Sequence, residues 1–104
     1  MTWHRKSKYN AIPTYVNGIR FASKREAARY GQLLLRLQAG EITDLTLQPA
    51  FKFPCGIKYI ADFKYTEKGK VVYEDVKGME PPAFRLKMRC FKYHYPAEDL
   101  RIVK

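Results

Sequence analysis

The strongest constraint on the fold is a predicted β-hairpin between Ile57 and Val76. The segments Ile57–Thr66 and Lys70–Val76 are rich in β-branched and aromatic residues, which favour strands. The three residues between them, EKG, indicate a tight turn. Because side chains alternate across the two faces of a strand, the register of this hairpin decides which residues lie together on one face.

The predicted register brings two aspartates together. If Lys68-Gly69 is a two-residue turn, Asp62 lies directly opposite Asp75. Alternation along the strand then places Lys77 on the same face as both aspartates. A three-residue loop would instead shift the partner of Asp62 by one residue, and this alternative stays open.

An aspartate pair of this kind favours a bound cation. Two carboxylates directly opposite each other destabilise a sheet by repulsion, and a covering helix increases that cost. A divalent ion such as Mg²⁺, bound by the oxygens of Asp62 and Asp75, would offset the repulsion. Lys77 would then stabilise charge on a phosphate or position a water. The alternative is that Lys64 or Lys77 simply neutralises solvated aspartates.

The rest of the chain adds helices and further strands. The predicted elements are, in chain order, a basic arm over residues 1–11, a hairpin at Thr14–Phe21, a helix at Ser23–Ala39, a strand at Leu45–Phe53, the Ile57–Val76 hairpin, a loop at Met79–Ala83, a helix at Phe84–Tyr93 and a strand at Leu100–Val103. This order predicts one α/β domain over residues 12–104, with the sheet covered by helices.

Each predicted helix has apolar residues at helical spacing. These are Tyr30, Leu33, Leu34 and Leu37 in the first helix, and Phe84, Met88 and Phe91 in the second. Ser23-x-x-Glu26 fits a capping box at the start of the first helix. Glu26 precedes Tyr30 by four residues, so it lies on the first turn of the buried face.

The charge of the chain favours a nucleic-acid partner. The formal net charge is +10, from 20 Lys and Arg against 10 Asp and Glu, and such self-repulsion indicates a polyanionic partner. No apolar run is long enough to span a bilayer, and no secretory signal is visible. We therefore expect no membrane association and a cytoplasmic location, where Cys55 and Cys90 would be reduced thiols. These two cysteines lack zinc-finger spacing, so we expect no zinc site.

Two groups of basic residues are candidate phosphate contacts. One follows i, i+4, i+7 spacing on the second predicted helix, and the other lies in the arm. The groups are Arg85, Arg89 and Lys92, and Arg5, Lys6 and Lys8. The alternatives are a solvated helix face and a frayed terminus.

These residues resemble the two-part motif of the PD-(D/E)xK nuclease superfamily, with Asp62 followed after twelve residues by Asp75-Val76-Lys77. The αβββαβ core of that superfamily is similar to the predicted order of elements. The stretches FASKREAARYGQLL, GEITDLTLQP, YIADFKY and EDVKG further resemble small phage-encoded proteins of this superfamily, whose members include Holliday-junction resolvases. Where many members have a proline before the first aspartate, this chain has Ala61.

The resemblance implies a restriction-endonuclease-like fold and a divalent-metal-dependent endonuclease acting on DNA in recombination, repair or processing. It implies Mg²⁺, with Mn²⁺ as a substitute, bound by Glu26, Asp62, Asp75 and the Val76 carbonyl. Lys77 would orient the nucleophile or stabilise the phosphorane. The similarity to junction resolvases also implies a possible homodimer, which would cut both strands.

Three alternatives stay open at this point. The chain could be a non-catalytic nucleic-acid-binding module of the same fold. It could also be a phage interaction protein that sequesters a host factor. For Glu26, the alternative is that its side chain only closes the capping box.

Overall fold

The computed structural model describes residues 14–104, which form two helices and eight strands. The elements are, in chain order, β1 (Thr14–Val16), β2 (Ile19–Phe21), α1 (Lys24–Gln38), β3 (Thr43–Leu47), β4 (Ala50–Lys52), β5 (Lys58–Ile60), β6 (Phe63–Glu67), β7 (Lys70–Val76), α2 (Pro82–His94) and β8 (Asp99–Val103). The predicted arm over residues 1–11, with Arg5, Lys6 and Lys8, lies outside the described residues.

The central sheet has four strands in the order β3-β6-β7-β8. β6 is antiparallel to both β3 and β7, whereas β8 is parallel to β7. Parallel neighbours need a crossover connection, and α2 supplies it between β7 and β8. The prediction of an α/β fold with a mixed sheet is therefore confirmed.

The predicted register of the central hairpin is also confirmed. Glu67 pairs with Lys70, and the ladder continues without a shift until Phe63 pairs with Glu74. Lys68 and Gly69 form the two-residue turn with φ values of 51° and 78°, as a type I′ turn requires. This excludes the three-residue loop.

The N-terminal hairpin and the first helix are formed where the sequence predicts them. Asn17 and Gly18 turn between β1 and β2 with positive φ at both residues. Ser23 is the N-cap of α1, and its Oγ accepts a hydrogen bond of 3.1 Å from the backbone N–H of Glu26. Of the predicted apolar face, Tyr30 and Leu33 are buried.

Two predicted strands are wrong in extent, because each one breaks and changes sheet. Leu45–Phe53 divides into β3 and β4, and Ile57–Thr66 divides into β5 and β6. β4 and β5 form a separate two-stranded sheet. The first break falls at Gln48, whose φ is 54°, and at Pro49, which has no N–H for a ladder.

The two breaks lie side by side and are bonded to each other. The Gln48 N–H donates to the Asp62 carbonyl, and the Ala61 N–H donates to the Pro49 carbonyl, both at 3.0 Å. The chain therefore leaves the central sheet and returns to it at one place. Asp62 is the first residue after the return, directly before β6.

Two further predictions need correction. The second helix begins at Pro82, within the predicted loop, because proline is tolerated in the first turn, where its N–H would be unpaired anyway. Leu37, which the sequence places on the apolar face of α1, remains 37% exposed near the end of that helix.

The two faces of the central sheet carry separate hydrophobic clusters. The cluster under α1 contains Phe21, Ala27, Tyr30, Leu33, Ile42, Phe63, Tyr65 and Val72. The cluster under α2 contains Phe51, Phe53, Tyr59, Ala61, Phe84 and Phe91. Residues of β7 alternate between the two faces, as the pleat of a strand requires.

A buried ion pair joins α1 to β7. The Arg29 guanidinium donates two hydrogen bonds of 2.7 Å to the Glu74 carboxylate, which is 1% exposed. The Tyr65 hydroxyl donates a third bond to the same carboxylate, at 2.5 Å. The bidentate geometry holds α1 in one position along the strand.

We expect Arg29→Met to lower the free energy of unfolding by about 3 kcal/mol, because Glu74 would stay buried without its cation. Arg20→Met, the same change at an exposed position on β2, should alter it by less than about 0.5 kcal/mol. Urea denaturation measures both values. Adding Glu74→Gln to Arg29→Met should recover part of the loss. An Arg29→Met protein as stable as wild type would contradict this role for the pair.

Candidate functional site

An acidic site, formed by Glu26, Asp62 and Asp75, lies where β6 begins and β7 ends. Asp75 is 1% exposed, and Asp62 is half-buried. Lys77 follows β7, and its Nζ lies 3.7 Å from Asp75 Oδ1. The structure therefore brings Asp62, Asp75 and Lys77 together, as the register of the hairpin predicts.

The backbone of β7 holds Asp62 in place. The Val76 N–H donates to Asp62 Oδ2 at 2.7 Å, and the Asp62 N–H donates to the Glu74 carbonyl at 2.9 Å. The main chain of Val76 is thus fixed beside the Asp62 carboxylate. Because Glu74 already pairs with Phe63, the ladder becomes irregular at Asp62, and Asp62 and Asp75 meet without being a regular cross-strand pair.

Glu26 reaches the site from the first turn of α1. Its side chain is half-buried and lies within hydrogen-bonding reach of the Asp62 carboxylate. Its backbone N–H is capped by Ser23. Glu26 therefore contacts the acidic site in addition to standing in the capping-box position.

Burial and mutual repulsion raise the pKa values of both aspartates. Burial is the largest cause for Asp62, followed by the neighbouring Glu26, and together they raise its pKa to about 7. Burial also raises the pKa of Asp75 to about 6; its hydrogen bond with Tyr59 opposes the shift, and repulsion from Asp62 adds to it. The nearby Lys77 lowers both pKa values but does not restore them. The site therefore has more negative charge than its surroundings compensate.

One buried carboxylate oxygen at the site lacks a hydrogen-bond partner among the described residues, although Lys77 lies 3.7 Å from it. Asp75 Oδ2 accepts a hydrogen bond from the buried Tyr59 hydroxyl. Asp75 Oδ1 is also buried, but no described residue hydrogen-bonds to it. Buried polar atoms normally have partners, so an orphaned oxygen needs an explanation such as an ion. Hard divalent cations prefer oxygen ligands, which fits this set of side chains.

The acidic site is not a closed metal cage. Within residues 14–104, no group of three or more His, Cys, Asp or Glu side chains has the geometry to hold a metal ion. Mg²⁺ typically binds through one or two carboxylates, keeps several waters and takes further oxygens from substrate phosphates. Asp62 and Asp75 would suffice for that mode of binding, with Glu26 adjacent.

A lysine groove, which no pattern in the sequence predicts, lies next to the acidic site. It has a volume of about 260 Å³ and is lined by Lys58, Tyr59, Ile60, Lys77, Phe84 and Lys87. Lys58 comes from β5, and Lys87 comes from α2. No local pattern in the sequence relates these two residues, because they lie on different elements and meet only in the fold.

The basic residues predicted on the second helix lie elsewhere. Arg85, Arg89 and Lys92 are all exposed, and none of them lines the lysine groove. Lys92 instead borders a separate cavity of about 550 Å³, which is lined by apolar residues of α2 and β8 together with Glu80 and Glu98. Their predicted contact with phosphate stays a prediction.

Comparison with known proteins identifies one family. A family model with the description "Protein of unknown function (DUF1064)" matches residues 6–104. No curated protein and no solved structure matches the chain. In the part of the chain that the structure describes, neither helix is long and apolar enough to cross a membrane.

We expect the acidic site to make the protein less stable as the pH rises, when EDTA is present. The folded protein keeps protons on Asp62 and Asp75, whose pKa values are about 7 and 6, after the unfolded chain has released them near 3.8. Stability therefore falls between pH 3.8 and about 7, because the folded state binds more protons throughout that window.

Asp62→Asn isolates this effect. It should raise the free energy of unfolding at pH 8 by about 1–3 kcal/mol and flatten its pH dependence. Asp44→Asn, the same change at an exposed residue of β3, should do neither. Denaturation curves at several pH values provide the comparison. If both variants followed the wild-type curve, the proposed charge repulsion would be wrong.

Proposed function

We propose that this chain, which belongs to the DUF1064 family, is a divalent-metal-dependent endonuclease that hydrolyses phosphodiester bonds in DNA. The observation that carries the proposal is the meeting of Asp62, Asp75 and Lys77 at one end of the central sheet, where Asp75 Oδ1 is buried and no described residue hydrogen-bonds to it. The net charge of +10 supports a polyanionic substrate.

The order of the elements also supports the proposal. Apart from the two small hairpins, the described chain runs α1, β3, β6, β7, α2, β8, which is similar to the αβββαβ core of the PD-(D/E)xK superfamily. Asp62 lies directly before β6, and Asp75 lies near the end of β7. We therefore interpret the β4–β5 hairpin as an insertion into a restriction-endonuclease-like core.

Some residues of the site would bind the metal ion, and others would hold those ligands in position. Asp62 and Asp75 would hold Mg²⁺ or Mn²⁺, with Glu26 and the Val76 carbonyl as further ligands. When bound, such an ion neutralises the phosphate and lowers the pKa of a coordinated water. The N–H of Val76 keeps the Asp62 carboxylate oriented, and the Tyr59 hydroxyl does the same for Asp75.

Lys77 would supply a fixed positive charge beside the reacting phosphate. Its Nζ lies 5.0 Å from the centre of the Phe84 ring and 3.7 Å from Asp75 Oδ1. The buried ring limits where the ammonium group can move. Lys77 can therefore donate to a phosphate oxygen, and stabilise the charge that develops there as water attacks phosphorus.

A non-catalytic nucleic-acid-binding module of the same fold is the second candidate. The observation that favours it is the net charge of +10, which supports nucleic-acid binding with or without catalysis. Such a module would bind DNA through its basic residues and cut none. A homodimer fits either candidate, since a two-fold dimer would place one site on each strand of a DNA duplex.

We expect Mg²⁺ to raise the melting temperature, because an ion that binds the folded state stabilises it. Asp75→Asn should abolish the shift, since it removes a ligand charge. Lys77→Met should keep the shift, because Lys77 is not a ligand. Differential scanning calorimetry in Mg²⁺ and in EDTA measures the difference, with Asp44→Asn as the matched carboxylate control. An equal shift in wild type and Asp75→Asn would place the ion elsewhere.

Cleavage is tested on labelled duplex, single-stranded and four-way-junction DNA, with Mg²⁺, Mn²⁺ or EDTA. We expect metal-dependent cutting, and a loss of at least about 100-fold in rate for Asp75→Asn and for Lys77→Met. Asp44→Asn should cut like wild type. If wild type binds these DNAs and cuts none of them with either metal, the binding module replaces the nuclease.

A further inference from the structure

We propose that Lys58 and Lys87 form a binding site for a second phosphate of the substrate strand, in the lysine groove beside the acidic site, with Lys77 between that phosphate and the reacting one. This inference rests on the proposed function, because it assumes a nucleic-acid strand at the acidic site. It differs from that function in assigning a role to Lys58 and Lys87.

Two of the groove lysines, Lys58 and Lys87, carry charges that the fold does not compensate, whereas Lys77 is paired with Asp75. Three of its six lining residues are lysines, and none is acidic. Among the described residues, Lys58 and Lys87 form no ion pair, whereas Arg29, Arg36 and Arg101 all do. Uncompensated like charges in a concave surface raise the local concentration of anions. The groove is therefore suited to an anionic ligand.

The groove and the acidic site are adjacent, because Tyr59 and Lys77 contribute to both. Tyr59 lines the groove with its side chain buried, and its hydroxyl donates to Asp75 Oδ2. Lys77 also lines the groove, while its Nζ lies 3.7 Å from Asp75 Oδ1. A phosphate in the groove would thus be a near neighbour of one held at the acidic site. Successive phosphates of one strand meet that requirement.

The size and chemistry of the groove favour the backbone over a base. Its volume of about 260 Å³ is below the roughly 300–1,000 Å³ of pockets for drug-sized ligands, which suits one sugar–phosphate unit. Lysine ammonium groups bind phosphate as point charges. The Tyr59 hydroxyl is already bonded to Asp75, and no amide or arginine side chain lines the groove to read a base edge. Binding here should be independent of sequence.

The first test is the salt dependence of binding to labelled DNA, measured by fluorescence anisotropy in EDTA, where cleavage does not interfere. We expect Lys58→Gln/Lys87→Gln to weaken binding roughly tenfold at low salt and to reduce the slope of log K against log salt by about 0.7–0.9, the value for one phosphate. The matched control is Lys68→Gln/Lys70→Gln, which removes two exposed charges at the turn before β7 and at its first residue, at the end of the hairpin away from the acidic site. It should change both quantities much less.

Two further variants separate charge from folding. Lys58→Arg/Lys87→Arg keeps both charges and should restore binding to near the wild-type value. Melting temperatures of all variants should agree with wild type, because Lys58 is exposed and Lys87 is only half-buried. If the groove and control variants bind DNA with equal affinity and equal salt slope, the groove site is overturned.

The second test locates the phosphate by chemical neutralisation. Substrate strands carry one uncharged methylphosphonate linkage at successive positions, and cleavage at each bond is quantified. For wild type, the rate of cleavage should decrease at the one bond that lies a fixed number of nucleotides from the neutral linkage. For Lys58→Gln/Lys87→Gln, the neutral linkage should cause no additional decrease in cleavage at that bond, because the lysines that contact the phosphate are already gone. A position-dependent loss that is equal in both proteins would overturn the site.

The two tests separate this inference from the proposed function. If wild type binds but does not cut, while the groove variant loses affinity and salt slope, the phosphate site stands and the nuclease fails. If wild type cuts, but the groove and control variants are alike in both tests, the nuclease stands and the phosphate site fails.

Discussion

The two-residue turn at Lys68 and Gly69 sets the register of β6 against β7, and both faces of the central sheet depend on that register. On one face it places Glu74 against Arg29 of α1. On the other it places Asp75 beside Asp62 and Lys77. A slip of one residue would exchange the two faces of a strand, so the turn determines the core and the acidic site together.

Neighbouring carboxylates of β7 show how the same group serves two purposes. Glu74 is fully buried, yet Arg29 and Tyr65 satisfy both of its oxygens, so it stabilises the attachment of α1. Asp75 is equally buried, but Oδ1 has no hydrogen-bond partner among the described residues, and its pKa is raised. Charge that the fold compensates is structural, whereas charge that it leaves uncompensated is available to a ligand.

Both long predicted strands are interrupted, and the β4–β5 hairpin between the interruptions contributes residues to the site. At Pro49 and Ala61 the chain departs from the central sheet and returns, and the β4–β5 hairpin lies between those points. That hairpin carries Tyr59, which holds Asp75, and Lys58, which lines the groove. The proposed metal site and the proposed phosphate site therefore depend on one local departure from regular strand pairing.

The sequence by itself determined the elements whose signals are local: both helices, the turns at Asn17-Gly18 and Lys68-Gly69, the mixed α/β class, and the meeting of Asp62 with Asp75. Capping and pairing act between residues close in the chain, so they can be read without a structure. Only the tertiary structure decided the strand breaks, the Arg29–Glu74 pair and the lysine groove. Those features join residues from separate elements, whose contacts follow from packing and from hydrogen bonds across the fold.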